Sequence, residues 1–185
     1  MPTYLWILIA VAAVLILWFI GTYNGLIARR NRVSESWSDI DVQLKRRYDL
    51  IPNLLESVKG YMTHERETLQ KVTEARTVAM GATTMADHAK SENMITEALK
   101  SVFAVAENYP DLKASQNFLQ LQDELSDTEN KIQAARRFYN SNVMDYNTRI
   151  QGVPSNIVAG MFKFTAREFF ELSEPAAREV IKVKF

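Results

Sequence analysis

The densest group of side chains able to do chemistry lies between residues 39 and 53. It comprises Asp39, Asp41, Arg46, Arg47, Asp49 and Asn53. Its carboxylates could bind a metal ion or another ligand. However, Asp39 and Asp41 are two residues apart, so on a helix they point about 200° from each other and cannot form one site by themselves.

Arg47 falls on the predicted inward face of its helix, which favours a structural interpretation of this group. A buried guanidinium must find a carboxylate or carbonyl groups that offset its desolvation. Glu129, Arg136 and Arg137, on a later predicted helix, could supply such a partner. We therefore predict that Arg46 or Arg47 pairs with an acidic residue of another helix.

Two Tyr-Asn pairs, Tyr139-Asn140 and Tyr146-Asn147, recur seven residues apart in the same region. On a helix, this spacing returns both tyrosines to one face and both asparagines to another. Near a helical seam, such residues fix the register of packing more often than they bind a ligand. We interpret both pairs as structural.

The sequence indicates no catalytic residue, no cofactor-binding residue and no metal site. His64-Glu65 begins like the zinc motif H-E-x-x-H, but Thr68 stands where the second histidine belongs, and His88 is on another predicted helix. The 6 glycines are scattered and form no phosphate-binding loop, and no G-x-S-x-G motif occurs. The absence of Cys excludes disulfides and thiolate catalysis, and equal numbers of acidic and basic residues, 22 each, argue against nucleic-acid binding.

The first part of the chain has the composition of a membrane anchor. No charged side chain occurs in residues 1–28, and the run from Tyr4 to Tyr23 would form a helix of about 30 Å, which matches the thickness of the hydrocarbon core. Trp6 lies near one end and Trp18 near the other, as expected of interfacial aromatic residues. We prefer a transmembrane helix to a cleaved signal peptide, because the charged n-region is missing, and to a buried core helix, because the run is apolar on every face.

A basic cluster follows the anchor immediately. Arg29, Arg30 and Arg32 are the first charged side chains of the chain. The positive-inside rule therefore predicts an N-terminus outside and the bulk of the chain in the cytoplasm. The same arginines lie where they could contact anionic headgroups.

Beyond the anchor, apolar residues recur at alternating spacings of three and four, which predicts long helices that pack along heptad seams. One seam runs from Trp37 to Ala75 in a single helix, kinked near Pro52 and closed by Gly81. A second helix is predicted from about Met85 to Ala106, and a third from near Asp111 to Gly152. Residues 156–172 could form a short fourth helix, followed by a tail. The apolar residues of this part, namely Met161, Phe162, Phe164, Phe169, Phe170 and Leu172, could form core or a contact surface.

These elements predict an all-α fold: a single N-terminal transmembrane helix followed by an elongated antiparallel bundle of three to four long helices. Residues 1–28 would form the extracytoplasmic N-terminus and the anchor. Residues 29–185 would form the cytoplasmic domain, with a C-terminal tail from about residue 173. The seams along the flanks of a thin bundle favour homo-oligomerisation.

Several segments, taken in order, resemble the LemA family of bacterial membrane proteins. They are Tyr23-Asn24 before the basic cluster, residues 37–55, residues 58–61, His64-Glu65, residues 72–76, residues 129–132, residues 135–140, and Tyr146-Asn147. The resemblance covers nearly the whole chain. It implies a membrane anchor with its N-terminus outside, a part built of long helices, location in the bacterial inner membrane, and no enzyme activity. The association of the family with a membrane zinc metalloprotease in some bacteria implies a role in envelope maintenance.

The leading hypothesis is a membrane-anchored scaffold or adaptor that self-assembles and presents a protein-binding surface, with the lipid bilayer, its own copies and other membrane proteins as partners. One alternative is an enzyme or metal-dependent factor built on the segments 39–53 and 129–140. Another is a lipid-responsive membrane organiser that uses the basic cluster. Substitution of Asp41, Arg47 and Asn53 would separate the first two hypotheses.

Overall fold

The computed structural model describes residues 2–171, and within them every regular element is a helix. The helices are α1 (Thr3–Lys59), α2 (Arg66–Met80), α3 (Met85–Ala106), α4 (Pro110–Lys113), α5 (Gln116–Gln151) and α6 (Ser155–Met161). The prediction of an all-α chain, in which a long apolar N-terminal helix precedes further helices, is confirmed. The described residues divide into two compact units: residues 2–40 with 135–169, and residues 41–134 with 170–171.

In the first unit, α1 and α5 run antiparallel. Arg29 of α1 pairs with Asp145 of α5, and the ring of Trp37, farther along α1, contacts the ring of Tyr139, which comes earlier in α5. Buried apolar residues line one face of each helix, at a spacing of seven on α1 and at spacings of three and four on α5. They are Leu26, Val33 and Ile40 on α1, and Tyr139, Val143, Tyr146 and Ile150 on α5.

In the second unit, the end of α1 and the start of α2 form an antiparallel hairpin. Arg76 of α2 donates a hydrogen bond to the carbonyl oxygen of Tyr48, and these residues lie at similar distances from the connecting loop. The buried core combines residues of α1, α2, α3 and α5. Among them are Ile51, Leu54, Val58, Val72, Ala75, Ile95, Leu99, Val102, Phe118 and Leu125.

Three predicted helices differ from the structure. The third, expected from near Asp111 to Gly152, is divided into the short α4 (Pro110–Lys113) and α5 (Gln116–Gln151). The helix expected to continue to Gly81 ends at Lys59, and a new helix starts at Arg66, so Tyr61 lies in a loop with its side chain exposed. Gly60 disfavours helix, and the loop lets Met62 enter the core while the chain reverses. Pro52, by contrast, lies inside α1 and does not break it.

The predicted fourth helix ends at Met161 rather than near residue 172, and the chain continues to residue 171 without regular structure. Hydrogen bonds from α5 side chains hold this segment in place of a helical ladder. The second helix matches its predicted bounds, Met85–Ala106. The predicted tail and Leu172 lie outside the described residues.

Candidate functional site

The segment 39–53 places one charged side chain in the core and the others at the surface. Arg47 is 1% exposed, whereas Asp39, Asp41, Asp49 and Asn53 are exposed. Arg46, next to Arg47, has a 43% exposed side chain and lies 3.9 Å from a carboxylate oxygen of Asp127 on α5. The six residues therefore do not converge on one site.

Arg47 is the centre of a buried ionic cluster in the second unit. Its guanidinium pairs with Glu92 of α3, which is 0% exposed, and with Glu129 of α5. The hydroxyl of Thr96 lies 3.4 Å from Nη1 of Arg47. The phenol O–H of Tyr48 donates a hydrogen bond to the carboxylate of Glu92. As predicted, Arg47 pairs with acidic residues of other helices.

Burial shifts the pKa values of two residues of this cluster, Arg47 and Tyr48. It lowers the pKa of Arg47, while the carboxylate of Glu129 acts in the opposite direction. Because an arginine starts from a very high pKa, the guanidinium stays charged. Burial also raises the pKa of Tyr48 to about 12, so its phenol stays protonated and remains a hydrogen-bond donor. The cluster joins α1, α3 and α5 by charge-assisted hydrogen bonds, and solvent has almost no access to Arg47 or Glu92.

Sequence reasoning missed Glu92 and Tyr48 as members of this cluster. A signal was available for Glu92, because it precedes the inward residues Ile95 and Leu99 by three and seven positions. An acidic residue at an inward position requires a buried partner, and Arg47 meets that requirement.

A second structural device of the same unit compensates for Pro52. A proline inside a helix donates no backbone hydrogen bond, which leaves the carbonyl four residues earlier, that of Tyr48, without its usual donor. Nε of Arg76 lies 2.8 Å from this carbonyl oxygen and donates to it. The helix therefore passes through Pro52 with the freed carbonyl satisfied from α2.

The polar residues of the later part of α5 bind the extended segment after α6. Tyr139 donates to the carbonyl oxygen of Glu168 at 2.9 Å, and Tyr146 donates to that of Thr165 at 3.0 Å. The amide of Asn147 bonds both the carbonyl oxygen and the N–H of Arg167, at 2.8 and 2.9 Å.

Burial raises the pKa of both phenols, which keeps them protonated as donors. Arg136 and Asn140 lie half-buried on the same helix. Tyr139 and the pair Tyr146-Asn147 thus contact the chain's own backbone, in a segment that was predicted to be helical.

The basic cluster lies in the first unit beside α5 and the segment after α6. Nε of Arg29 lies 2.9 Å from a carboxylate oxygen of Asp145, and the guanidinium of Arg30 lies 5.5 Å from the ring centre of Phe164. Arg32 is exposed. Two of the three arginines therefore have protein partners in addition to any role in topology.

Among the described residues, one helix, α1, is long and apolar enough to cross a membrane, judged by length and composition. In the first part of α1, residues 3–20, the apolar side chains are exposed on all faces, including Tyr4 at 67% and Trp6 at 63%, and only 6% of the most apolar stretch is buried. Trp18 lies near the far end of this stretch and is 39% exposed. At that end, the ring of Tyr23 contacts the ring of Phe162, with 4.6 Å between their centres.

The remaining candidates are distributed over the surface. Within residues 2–171, no group of three His, Asp or Glu residues is close enough to hold a metal ion. Asn53 lines an open groove of about 510 Å³ together with Gln120 and Glu124 of α5.

Of the aromatic-rich segment, Phe170 is fully buried, whereas Met161, Phe162 and Phe169 are exposed.

Two comparisons with known proteins point to the same family. The family model described as the LemA family matches residues 36–185. Protein LemA of Metamycoplasma hominis is 31% identical over 160 residues, which cover 84% of this chain and 72% of that protein. The match to the family model includes the residues of the buried ionic cluster and the whole of α5. The chain therefore belongs to the LemA family.

Proposed function

We propose that this LemA-family chain is a single-pass protein of the bacterial inner membrane that acts as a self-assembling scaffold or adaptor, without enzymatic turnover. The N-terminus lies outside, α1 crosses the bilayer, and the helices beyond residue 28 lie in the cytoplasm and present a protein-binding surface. Its partners are the bilayer, its own copies and other membrane proteins, such as a membrane metalloprotease, in envelope maintenance.

One observation carries the proposal: α1 begins as a helix that is apolar and exposed on every face, and continues without a break into a folded helical unit. Exposure of such an apolar surface to water is unfavourable in free energy, whereas a hydrocarbon environment stabilises the helix. Arg29, Arg30 and Arg32 follow the apolar part, which is the charge pattern of a cytoplasmic flank.

Support for a binding role rather than turnover comes from the use of the charged residues. Arg47 and Glu92 are buried against each other, so a substrate cannot reach the most strongly charged part of the 39–53 segment. Support for self-assembly comes from large apolar side chains exposed on α5. Phe138 is 53% exposed and Met144 is 60% exposed.

The mass of the detergent-solubilised full chain tests the scaffold role. We expect native mass spectrometry to detect multiples of 21.2 kDa and reproducible partner proteins. Because the chain has no Cys, a single cysteine at Phe138 or Met144 should crosslink copies within the intact membrane. A cysteine at Thr83, exposed in the loop between α2 and α3, is the matched control. A monomer without a partner would contradict the scaffold role.

Two exposed residues separate scaffold from enzyme. Asp41→Asn and Asn53→Ala should leave folding, mass and partner binding unchanged, because both side chains are exposed. If either variant lost its biological function while assembly and partners persisted, a chemical role for the 39–53 segment would replace the scaffold proposal there.

A further inference from the structure

The turn after α5 and the short helix α6 leave three large apolar side chains exposed. Val153 is 83% exposed, Ile157 61% and Met161 63%. The opposite face of α6 is buried through Val158 and Ala159. One face of α6 is therefore fixed to the protein, and the other presents aliphatic side chains to the surroundings.

Aromatic contacts give the position of α6 along α1. Phe162, directly after α6, contacts Tyr23 at 4.6 Å and Phe19 at 5.9 Å between ring centres. Phe19 lies one turn, about 6 Å, inside the predicted span that ends at Tyr23. Met161 and Phe162 are thereby held at the depth where the hydrocarbon core meets the headgroups.

The charged residues around α6 are basic, so they complement an anionic membrane surface. Residues 1–34 contain Arg29, Arg30 and Arg32 and no acidic residue. Residues 146–167 contain Arg149, Lys163 and Arg167, again without an acidic residue. The whole chain has 22 basic and 22 acidic residues, so acidic residues are in excess outside these two segments. Basic residues beside exposed aliphatic ones are typical of segments that lie in the interface of a bilayer.

We infer that α6 and the turn before it form a second membrane contact, in which Val153, Ile157 and Met161 enter the boundary between headgroups and acyl chains of the cytoplasmic leaflet. The inference rests on the proposed span of α1, because the contacts of Phe162 define depth only if α1 crosses the bilayer. Lipid is favoured over a second copy of the chain, since Phe162 contacts the span itself and the adjacent basic residues match anionic headgroups. The contact fixes the orientation of the first unit at the membrane.

Single cysteines test this contact in the otherwise Cys-free full chain. Ile157→Cys and Met161→Cys each receive an environment-sensitive fluorophore, in vesicles of phosphatidylethanolamine and phosphatidylglycerol with or without nitroxide-labelled lipid. Ser38→Cys is the aqueous control, because this exposed residue lies about four turns or 22 Å beyond Tyr23 on α1 and outside the proposed assembly surface. Leu15→Cys reports the span. All four side chains are exposed, so the substitutions spare the core.

We expect labels at positions 157 and 161 to be quenched by nitroxide lipids and to collide several-fold less often with a water-soluble quencher than the label at 38. Labels at 157 and 161 that behave like the one at 38, with 15 shielded, would overturn the contact and leave the span intact. Labels shielded from water but not quenched by lipid would also overturn it, and would indicate coverage by another protein surface. A water-exposed label at position 15 would refute the span and the contact together.

Discussion

Replacement of Arg47 by Met should destabilise the second unit strongly. The guanidinium is 1% exposed and pairs with Glu92, which is 0% exposed. Removing one partner of a buried ion pair leaves an uncompensated charge and costs about 3–5 kcal/mol. In a chain of this size, each kcal/mol lowers the melting temperature by roughly 2–4 °C, so we expect a decrease of about 6–20 °C.

Thermal unfolding of the full chain in detergent, followed by far-ultraviolet circular dichroism, measures this effect. Arg46→Met is the matched control, because the neighbouring guanidinium is exposed and lies 3.9 Å from Asp127. An exposed pair of this kind contributes at most about 1 kcal/mol. The double variant Arg47→Met with Glu92→Met removes both buried charges and should recover much of the loss.

The reasoning about the cluster would be refuted if Arg47→Met and Arg46→Met melted at the same temperature. It would also be refuted if the double variant were no more stable than Arg47→Met alone. The first result would mean that the guanidinium can reach water without disturbing the core. The second would mean that the packing of the Arg47 stem, rather than its charge, dominates.

Three further predictions concern individual contacts. Arg76→Met should cost about 1–3 kcal/mol, because the carbonyl of Tyr48 loses its donor, and this cost should shrink in a Pro52→Ala background, where the backbone N–H returns; equal costs in both backgrounds, measured by denaturant unfolding, would disprove the coupling. Burial lowers the pKa of His88 below its usual 6.5, against the opposing charges of Asp41 and Asp87, so the unfolded chain binds this proton more readily. Stability should therefore fall as the pH drops through 6.5 toward the folded pKa, and the difference between wild type and His88→Gln should change across that window; a constant difference would contradict it. Asn147→Ala should speed hydrogen exchange at the amide of Arg167 several-fold, whereas Thr148→Ala, an exposed neighbour, should not.

The spacing of apolar residues predicted the cores of both units well. Heptad positions such as Ile40, Leu44, Ile51 and Leu54 on α1 are buried, as are Leu125, Ile132 and Tyr139 on α5. The reason is physical, since a stripe at this spacing has to be covered wherever the helix leads. The spacing also puts Arg47 at an inward position, where a guanidinium requires a carboxylate, and so the acidic character of its partners was predicted.

What the pattern did not predict depends on distant contacts. The alternating spacing continues through residues 60–65, so it did not indicate that the chain reverses after Lys59. The reversal occurs where Gly60 disfavours helix and Met62 is buried in the core. The extended segment after α6 is held by Tyr139, Tyr146 and Asn147. Local propensity contains no information about donors that lie about twenty or more residues earlier in the chain.

The position of α1 in the membrane is the claim on which the proposals for this LemA-family protein depend. A single cysteine at Thr3 and, separately, one at Thr83, each exposed in the structure, can be labelled in bacterial cells with a membrane-impermeant maleimide. We predict that the cysteine at position 3 reacts from outside the inner membrane, whereas that at position 83 reacts only after the inner membrane is opened. Labelling of both positions from the same side would contradict the proposed topology.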